Sequence, residues 1–108
     1  MTYTKDELKE LAIAFRRNGV LVISDEIYSH LQYSGEHTSI QHYYPEGTVV
    51  TGGLSKWCGA GGWRLGVALI PRQLSTTLLP TFIGVCSETY SCASTPCQYA
   101  AIEGKSNL

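Results

Sequence analysis

The segment Val20-Leu21-Val22-Ile23-Ser24-Asp25 decides the fold class of this 108-residue chain. Its aliphatic residues run on without the alternation of polar and apolar positions that marks a strand with one wet face. A continuous β-branched run of this kind is typical of a strand that is covered on both faces, as in a parallel sheet. We therefore predict a buried strand over Val20–Ser24.

A helix is predicted directly upstream, over Lys5–Arg17. Thr4 followed by Glu7 forms a capping-box pattern. Apolar residues then recur at helical spacing, at Leu8, Leu11, Ala12 and Phe15. Asn18-Gly19 ends the helix, because glycine readily takes the left-handed conformation. A helix that turns straight into a buried strand is half of a βαβ unit, so the pattern predicts an α/β fold and implies a further strand before residue 1.

The remaining predicted elements are two short strands and two helices. They cover Thr48–Thr51, Leu65–Ile70, Gln73–Val85 and a segment that begins near Ser94 or Thr95. A proline removes one backbone donor from a helix, so we expect Pro80 to interrupt or kink the first of these helices. Pro96 suits the first turn of the last helix.

Composition and charge exclude several classes of protein. Hydrophobic residues make up 44% of the chain, which is too many for a disordered segment. The 8 basic and 9 acidic residues give a net charge of −1, which leaves no basic excess to neutralise nucleic-acid phosphates. No apolar run approaches the roughly 20 residues that cross a bilayer. The polar N-terminus is unlike a secretory signal.

The cysteines and histidines lack the spacing of metal ligands. The cysteines are Cys58, Cys86, Cys92 and Cys97, and the histidines are His30, His37 and His42. There is no C-x-x-C pair, and the histidine spacings match no common metal motif. We therefore predict no metal site, solvated loop histidines, and reduced thiols in a cytoplasmic protein.

Asp25 and Tyr28 follow the predicted buried strand. In open α/β sheets, ligands bind beyond the carboxyl ends of the strands, and a carboxylate there needs a positive or protonated partner. If the chain turns helically after the strand, both side chains project to one side. The alternative is structural: Asp25 caps a short helix and Tyr28 packs beneath it.

Lys56 and Arg64 flank a glycine-rich loop. Apolar neighbours such as Leu54 and Trp57 would desolvate the Lys56 amine and favour Schiff-base chemistry, while an arginine offers a bidentate grip on a phosphate. The alternative is a surface loop with two solvated cations. Taken together, an acid, a phenol, an amine, a hydroxyl at Ser55 and a guanidinium suit one aromatic cofactor that carries an aldehyde and a phosphate.

These residues stand in motifs that resemble those of the class I and II aminotransferases, the fold-type-I enzymes that use pyridoxal 5′-phosphate. Ser24-Asp25-Glu26-Ile27-Tyr28 is similar to the family's S-D-E-x-Y. Leu54-Ser55-Lys56 and then Gly62-Trp63-Arg64-Leu65-Gly66 are similar to its S-K…G-W-R-x-G. Tyr3–Leu8 and Ser94–Ala101 also resemble family helices, so the resemblance spans nearly the whole chain.

The resemblance implies a role for each site residue. Lys56 would form the internal aldimine and then carry the proton between the substrate α-carbon and the cofactor. Asp25 would pair with the pyridinium nitrogen, and Tyr28 would hydrogen-bond the cofactor's phenolic oxygen. Arg64 would bind the phosphate, with Ser55 as a second donor. Family members often carry serine three residues before the lysine, where this chain has Gly53.

The resemblance also implies an organisation. Residues 1–108 would be part of a single pyridoxal-phosphate-binding large domain, a three-layer α/β/α unit with a mostly parallel sheet, and the small C-terminal domain would be absent. Such a piece is expected to be inactive alone and prone to association. The parent protein would be a homodimer that acts on an amino acid and a 2-oxo acid, with neither nucleic acid nor membrane as a partner.

Three functions remain open at this point. Transamination is the commonest chemistry for these motifs. Other fold-type-I reactions, such as β-elimination by a C–S lyase, use the same cofactor contacts, and the motifs bind the cofactor rather than the substrate. The third possibility is a non-catalytic remnant or a dimerisation piece, for which Tyr90–Ser94 is the candidate region because it resembles the part that reaches the partner subunit in the family.

Overall fold

Helix α1 occupies Lys5–Arg17 in the computed structural model, which describes residues 2–33 and 35–106. The predicted bounds are therefore confirmed, and so is the capping box. The Thr4 hydroxyl accepts from the Glu7 amide at 3.2 Å, and the Glu7 carboxylate accepts from the Thr4 amide at 2.6 Å. Gly19 takes a positive φ of 61°, which lets the chain turn toward the sheet.

A three-stranded sheet follows, in the order β1-β2-β3. The strands are β1 at Val22–Asp25, β2 at Thr48–Gly53 and β3 at Gly66–Leu69. β1 and β2 are parallel, and β2 and β3 are antiparallel. The short 3-10 helices between and beside them are Ser29–Leu31, Ile40–His42, Pro45–Gly47 and Gly61–Trp63. The α/β class is confirmed, with one parallel and one antiparallel pair in this part of the sheet.

The prediction of a strand covered on both faces is wrong for this structure. The strand begins at Val22, and burial alternates along it, with Val22 and Ser24 half-buried and Ile23 66% exposed. Within the described residues β1 pairs with β2 alone, so it is an edge strand. The aliphatic run correctly indicates a strand. Burial of both faces of β1 also requires a packed layer on each face, and in this structure only one face is covered.

Two helices complete the described chain, α2 at Arg72–Thr89 and α3 at Thr95–Ser106. The expected interruption at Pro80 is wrong, because α2 continues through it and extends past Val85. A proline removes a single backbone bond, which the rest of a five-turn helix tolerates. None of the helices in the described residues is long and apolar enough to cross a membrane.

The core consists of small groups of buried side chains around β2 and the loop that follows it. Val49 and Thr48 are almost fully buried. Leu54, Leu65 and Cys97 form a second cluster, which packs α3 against the loop between β2 and β3. That loop carries the predicted lysine and arginine, so α3 helps to hold it in place.

Candidate active site

The topology of the sheet places the predicted site residues at one end of the strands. We call this end the carboxyl edge of the sheet, because β1 and β2 end there and the antiparallel β3 begins there. β1 and β2 run parallel with Asp25 opposite Thr51, so their carboxyl ends lie side by side. Lys56 follows β2 by three residues. β3 is antiparallel to β2 and begins at this same edge, so Arg64, two residues before β3, also lies here. Ligands of α/β proteins bind at such a carboxyl edge.

The Asp25 carboxylate is exposed and is held through one oxygen. Oδ1 accepts from the Ile27 amide at 3.3 Å and from the Thr51 hydroxyl at 3.2 Å. Oδ2 accepts no hydrogen bond from the described residues, which leaves it able to meet a protonated ligand. The structural alternative holds in part, since Asp25 caps the turn that follows, but Tyr28 is 59% exposed and does not pack beneath it.

Lys56 and Tyr28 are neighbours in space. The Lys56 Nζ lies 5.5 Å from the centroid of the Tyr28 ring, within the range of a cation–π contact. Both side chains are exposed. The contact joins the loop after β2 to the turn after β1, and so places the amine beside the segment that carries Asp25.

Arg64 has an unusual backbone conformation for a residue other than glycine. Its φ of 53° lies in the left-handed region, and its Nη1 donates to the Gly61 carbonyl oxygen at 2.9 Å. That bond fixes one side of the guanidinium and leaves its other N–H groups available. Ser55, beside the lysine, is half-buried, and its hydroxyl has no hydrogen-bond partner among residues 2–33 and 35–106.

A cleft of about 730 Å³ opens beside this edge, between β3 and the carboxyl end of α2. Thr51 and Arg64 contribute to its walls, and Trp63, Phe82 and Tyr90 supply aromatic surface. Asp25, Tyr28, Ser55 and Lys56 are not among its described walls. The cleft therefore adjoins the candidate site at Arg64, and Asp25 and Lys56 lie outside it.

Gly53 has a backbone reason to be glycine. A Cβ built there would lie 2.7 Å from the carbonyl oxygen of Leu65 and 3.2 Å from the Cα of Gly66. Both are backbone atoms of the adjoining chain, which cannot move aside cheaply. The serine that family members often carry here would not fit this arrangement of β2 and β3.

The structure gives His37 a partner, although the sequence predicts solvated loop histidines. All four cysteines are free thiols, and the described residues contain no group of His, Cys, Asp or Glu that could hold a metal ion. His37, however, is not simply solvated, because its Nε2 lies 2.8 Å from Glu26 Oε2. Sequence reasoning did not identify Glu26; strand alternation, which puts Ser24 and Glu26 on the face opposite Asp25, could have done so.

Comparison with known proteins identifies the family. The model of the family "Aminotransferase class I and II" matches residues 1–107. A probable N-acetyl-LL-diaminopimelate aminotransferase of Bacillus subtilis (strain 168) is 38% identical over 107 residues, which are 99% of this chain and 26% of that protein. An aspartate aminotransferase of Geobacillus stearothermophilus is 39% identical over 106 residues, with 94% and 26% covered.

Solved structures agree with the fold described above. A Thermus thermophilus aspartate aminotransferase tetra mutant in complex with tryptophan superposes with a TM-score of 0.85 at 32% identity, covering 98% of this chain and 27% of that one. The Thermus thermophilus aspartate aminotransferase with maleate gives 0.84 at 33% identity, with 97% and 26% covered. The chain thus spans about a quarter of the length of the relatives it matches, and it belongs to the class I and II aminotransferase family.

Proposed function

We propose that the protein acts as a pyridoxal-phosphate-dependent aminotransferase, which moves the amino group of an L-amino acid to a 2-oxo acid. The observation that carries this proposal is that residues with a carboxylate, a phenol, an amine and a guanidinium all lie at one carboxyl edge of the sheet, with the amine 5.5 Å from the centroid of the phenol ring. Family membership supports it independently, because the relatives named above are aminotransferases.

The donor set fits pyridoxal phosphate group by group. Oδ2 of Asp25 is available to a protonated ring nitrogen, and the exposed Lys56 amine is available to the aldehyde. Arg64 keeps N–H groups for a phosphate, and the Ser55 hydroxyl can add a further donor. The Tyr28 hydroxyl, three residues after Asp25, would donate a hydrogen bond to the cofactor's phenolic oxygen. These five residues are our proposed cofactor site, and they require no metal.

Each residue then has a defined task. When bound, pyridoxal phosphate supplies an electron sink that stabilises the negative charge left on a substrate α-carbon after proton removal. Asp25 favours that charge by keeping the ring nitrogen protonated. Lys56 would hold the cofactor through its Nζ, and the same amine would serve as the base that takes the α-proton of the substrate. Arg64 and Ser55 hold the phosphate and so fix the orientation of the ring.

The substrate class comes from the names of the relatives. The relatives reported above are aminotransferases named for N-acetyl-LL-diaminopimelate and for aspartate, and aminotransferases act on an amino acid and an oxo acid. We extend that substrate class to this protein. We also propose the organisation that the resemblance implies: part of one large domain, from a homodimer in the cytoplasm, where the free thiols stay reduced. The isolated chain is expected to bind cofactor without completing turnover.

The first experiment tests the cofactor site on the chain itself. Pyridoxal phosphate is added, and the visible absorption of the bound cofactor is recorded. Borohydride reduction and peptide mapping then locate the modified lysine. We expect one modified residue, Lys56, and loss of both signals in Lys56→Ala. Lys9→Ala, which removes an exposed lysine of α1, is the matched control and should keep them.

A second experiment separates amino transfer from elimination. The whole protein that carries this chain is given dicarboxylic, aromatic and thioether L-amino acids together with a 2-oxo acid. Transfer forms a new amino acid and no free ammonia. Release of ammonia and a keto acid from a single amino acid would show that the protein is a lyase and would contradict our proposal.

In the first experiment, modification of several lysines without the visible absorption of bound cofactor would contradict the proposed cofactor site.

A further inference from the structure

We propose that Glu26 is a positioning residue for the candidate site. In this proposal its carboxylate ties the segment 37–39 to the end of β1, and thereby holds the turn that carries Asp25 and Tyr28. The inference rests on the proposed function, because the position of these two side chains matters only if they bind pyridoxal phosphate.

The side chain of Glu26 is satisfied by three donors. It is only 13% exposed. Oε1 accepts from the Ser24 hydroxyl at 3.1 Å and from the Ser39 hydroxyl, and Oε2 lies 2.8 Å from His37 Nε2. A carboxylate withdrawn from water is costly unless such partners replace the lost hydration. The loop residues that supply two of these partners lie more than ten positions away in the sequence.

The backbone of Glu26 is equally engaged. Its N–H donates to the Thr51 carbonyl at 2.8 Å, which extends the parallel ladder by one residue beyond β1. Its carbonyl accepts from the Ser29 N–H at 3.0 Å, which closes the turn around Tyr28. One residue thus joins the sheet, the turn and the distant loop, so that a displacement of Glu26 must also displace its neighbours.

Strand alternation assigns different tasks to the two adjacent acids. Successive side chains point to opposite faces of a strand. The Glu26 side chain shares a face with Ser24, whereas the exposed carboxylate of Asp25 lies on the other face with Thr51. Glu26 therefore acts on the site through the backbone and not by touching the cofactor.

The test compares two ligands on variants of the full chain. The ligands are pyridoxal phosphate and an analogue in which C–H replaces the ring nitrogen. We expect Glu26→Ala to lower the affinity for pyridoxal phosphate roughly 10-fold. This is the effect expected when the hydrogen bond between the charged Asp25 carboxylate and the ring nitrogen is disturbed. The analogue should lose less affinity, because it has no ring nitrogen for Asp25 to meet. A general loss of structure would weaken both ligands equally, and that result would overturn the proposal.

A matched pair of histidines tests the tether from its far end. His37→Ala removes one partner of Glu26 and should change both affinities in the same direction as Glu26→Ala, by a smaller factor. His42→Ala removes a loop histidine that contacts Tyr43 instead, and should change neither. Equal effects of the two histidine variants would contradict the proposal. If Glu26→Ala does not fold, His37→Ala and Ser39→Ala carry the same comparison.

Amide hydrogen exchange measures the effect of the Glu26 contacts on the turn after β1 in the absence of cofactor. We expect faster amide exchange in residues 24–31 of His37→Ala and Ser39→Ala, with no change in α1. Unchanged exchange in 24–31 would overturn the tether. If the unaltered chain binds no pyridoxal phosphate, the proposed function fails and the positioning role fails with it, whereas the exchange result still decides whether Glu26 ties the loop to the strand.

Discussion

The Asp25 carboxylate is held on one oxygen by the Ile27 amide and the Thr51 hydroxyl. Two donors on one oxygen restrict the orientation of the side chain even though it is exposed. The Thr51 hydroxyl comes from the neighbouring strand, and its position depends on the register that pairs Asp25 with Thr51. A shift of this register by one residue would separate the Asp25 carboxylate from the Thr51 hydroxyl.

Thr51→Val tests this orientation. The substitution keeps the shape of the side chain and removes the donor to Asp25, so we expect affinity for pyridoxal phosphate to fall by roughly 3- to 10-fold. Titration of the visible absorption measures it. Thr48→Val is the matched control, because the Thr48 hydroxyl is buried without a hydrogen-bond partner and does not contact the site. An equal loss in both variants would show that the Thr51 hydroxyl does not orient Asp25.

Gly53→Ala tests the close approach of β2 to the chain before β3. The new methyl group would meet the Leu65 carbonyl oxygen at 2.7 Å, so we expect a loss of about 1–3 kcal/mol in the free energy of unfolding. Urea denaturation measures the change. Gly52→Ala places a methyl group where, apart from the two chain neighbours of Gly52, no atom of the described residues lies within 4 Å, so it should change stability by less than about 0.5 kcal/mol. Similar stabilities of the two variants would contradict this account.

At the scale of elements, one ion pair joins the end of α1 to the approach to β2. Arg16 Nε lies 2.5 Å from Glu46 Oε1, and Arg16 Nη2 donates to Glu46 Oε2 at 3.2 Å and to the Tyr43 carbonyl at 2.8 Å. The guanidinium also lies 5.0 Å from the centroid of the Tyr44 ring. A bidentate pair that also binds a backbone carbonyl fixes geometry better than a single surface contact.

Glu46→Gln tests the contribution of this pair and its dependence on pH. The hydrogen bond from Arg16 lowers the pKa of Glu46 below its ordinary value of 4.5. The unfolded chain therefore binds the proton first as the pH falls, so the pair stabilises the fold above pH 4.5 and loses this effect as the pH falls through the lowered pKa. We expect the stability difference between wild type and Glu46→Gln to shrink over that range in urea titrations. A constant difference would contradict the assignment.

At the scale of the whole molecule, the described sheet has two open edges. β1 and β3 each pair only with β2, and apolar side chains stand exposed along them, with Ile23 at 66% and Leu69 at 53%. α2 has no buried residue, although Leu79, Phe82 and Ile83 are apolar. Unpaired strand edges of this kind are templates for pairing with another chain.

Ile23→Lys is expected to reduce self-association of the chain. A lysine on an edge strand opposes edge-to-edge pairing, because pairing would bury its charge. Sedimentation velocity over a range of concentrations measures the effect. Ile13→Lys changes a comparably exposed isoleucine on α1 and serves as the matched control. If both variants associate like the unaltered chain, the strand edge is not the surface responsible.

The elements themselves could be predicted from the sequence because their signals are local. The bounds of α1 follow from Thr4, Glu7 and Gly19, which act within a few residues of one another. The candidate site could be named from two short motifs, and both motifs lie at the carboxyl edge of the sheet. The helix is not interrupted at Pro80, because one missing backbone bond does not outweigh the many bonds of a long helix.

Other features depend on contacts between distant parts of the chain. The exposure of Ile23 depends on which layers cover β1, and residues 20–24 carry no information about those layers. Glu26 meets His37 and Ser39 only after the loop folds back onto the strand, and Gly53 meets the Leu65 carbonyl only when β2 and β3 pair. The sequence by itself determined the family and the bounds of α1, and it named the candidate site residues, since these depend on short-range patterns. Tertiary structure alone decided which faces are open, which carboxylate is largely shielded from water and which backbones touch, since burial and contact are properties of the packed chain.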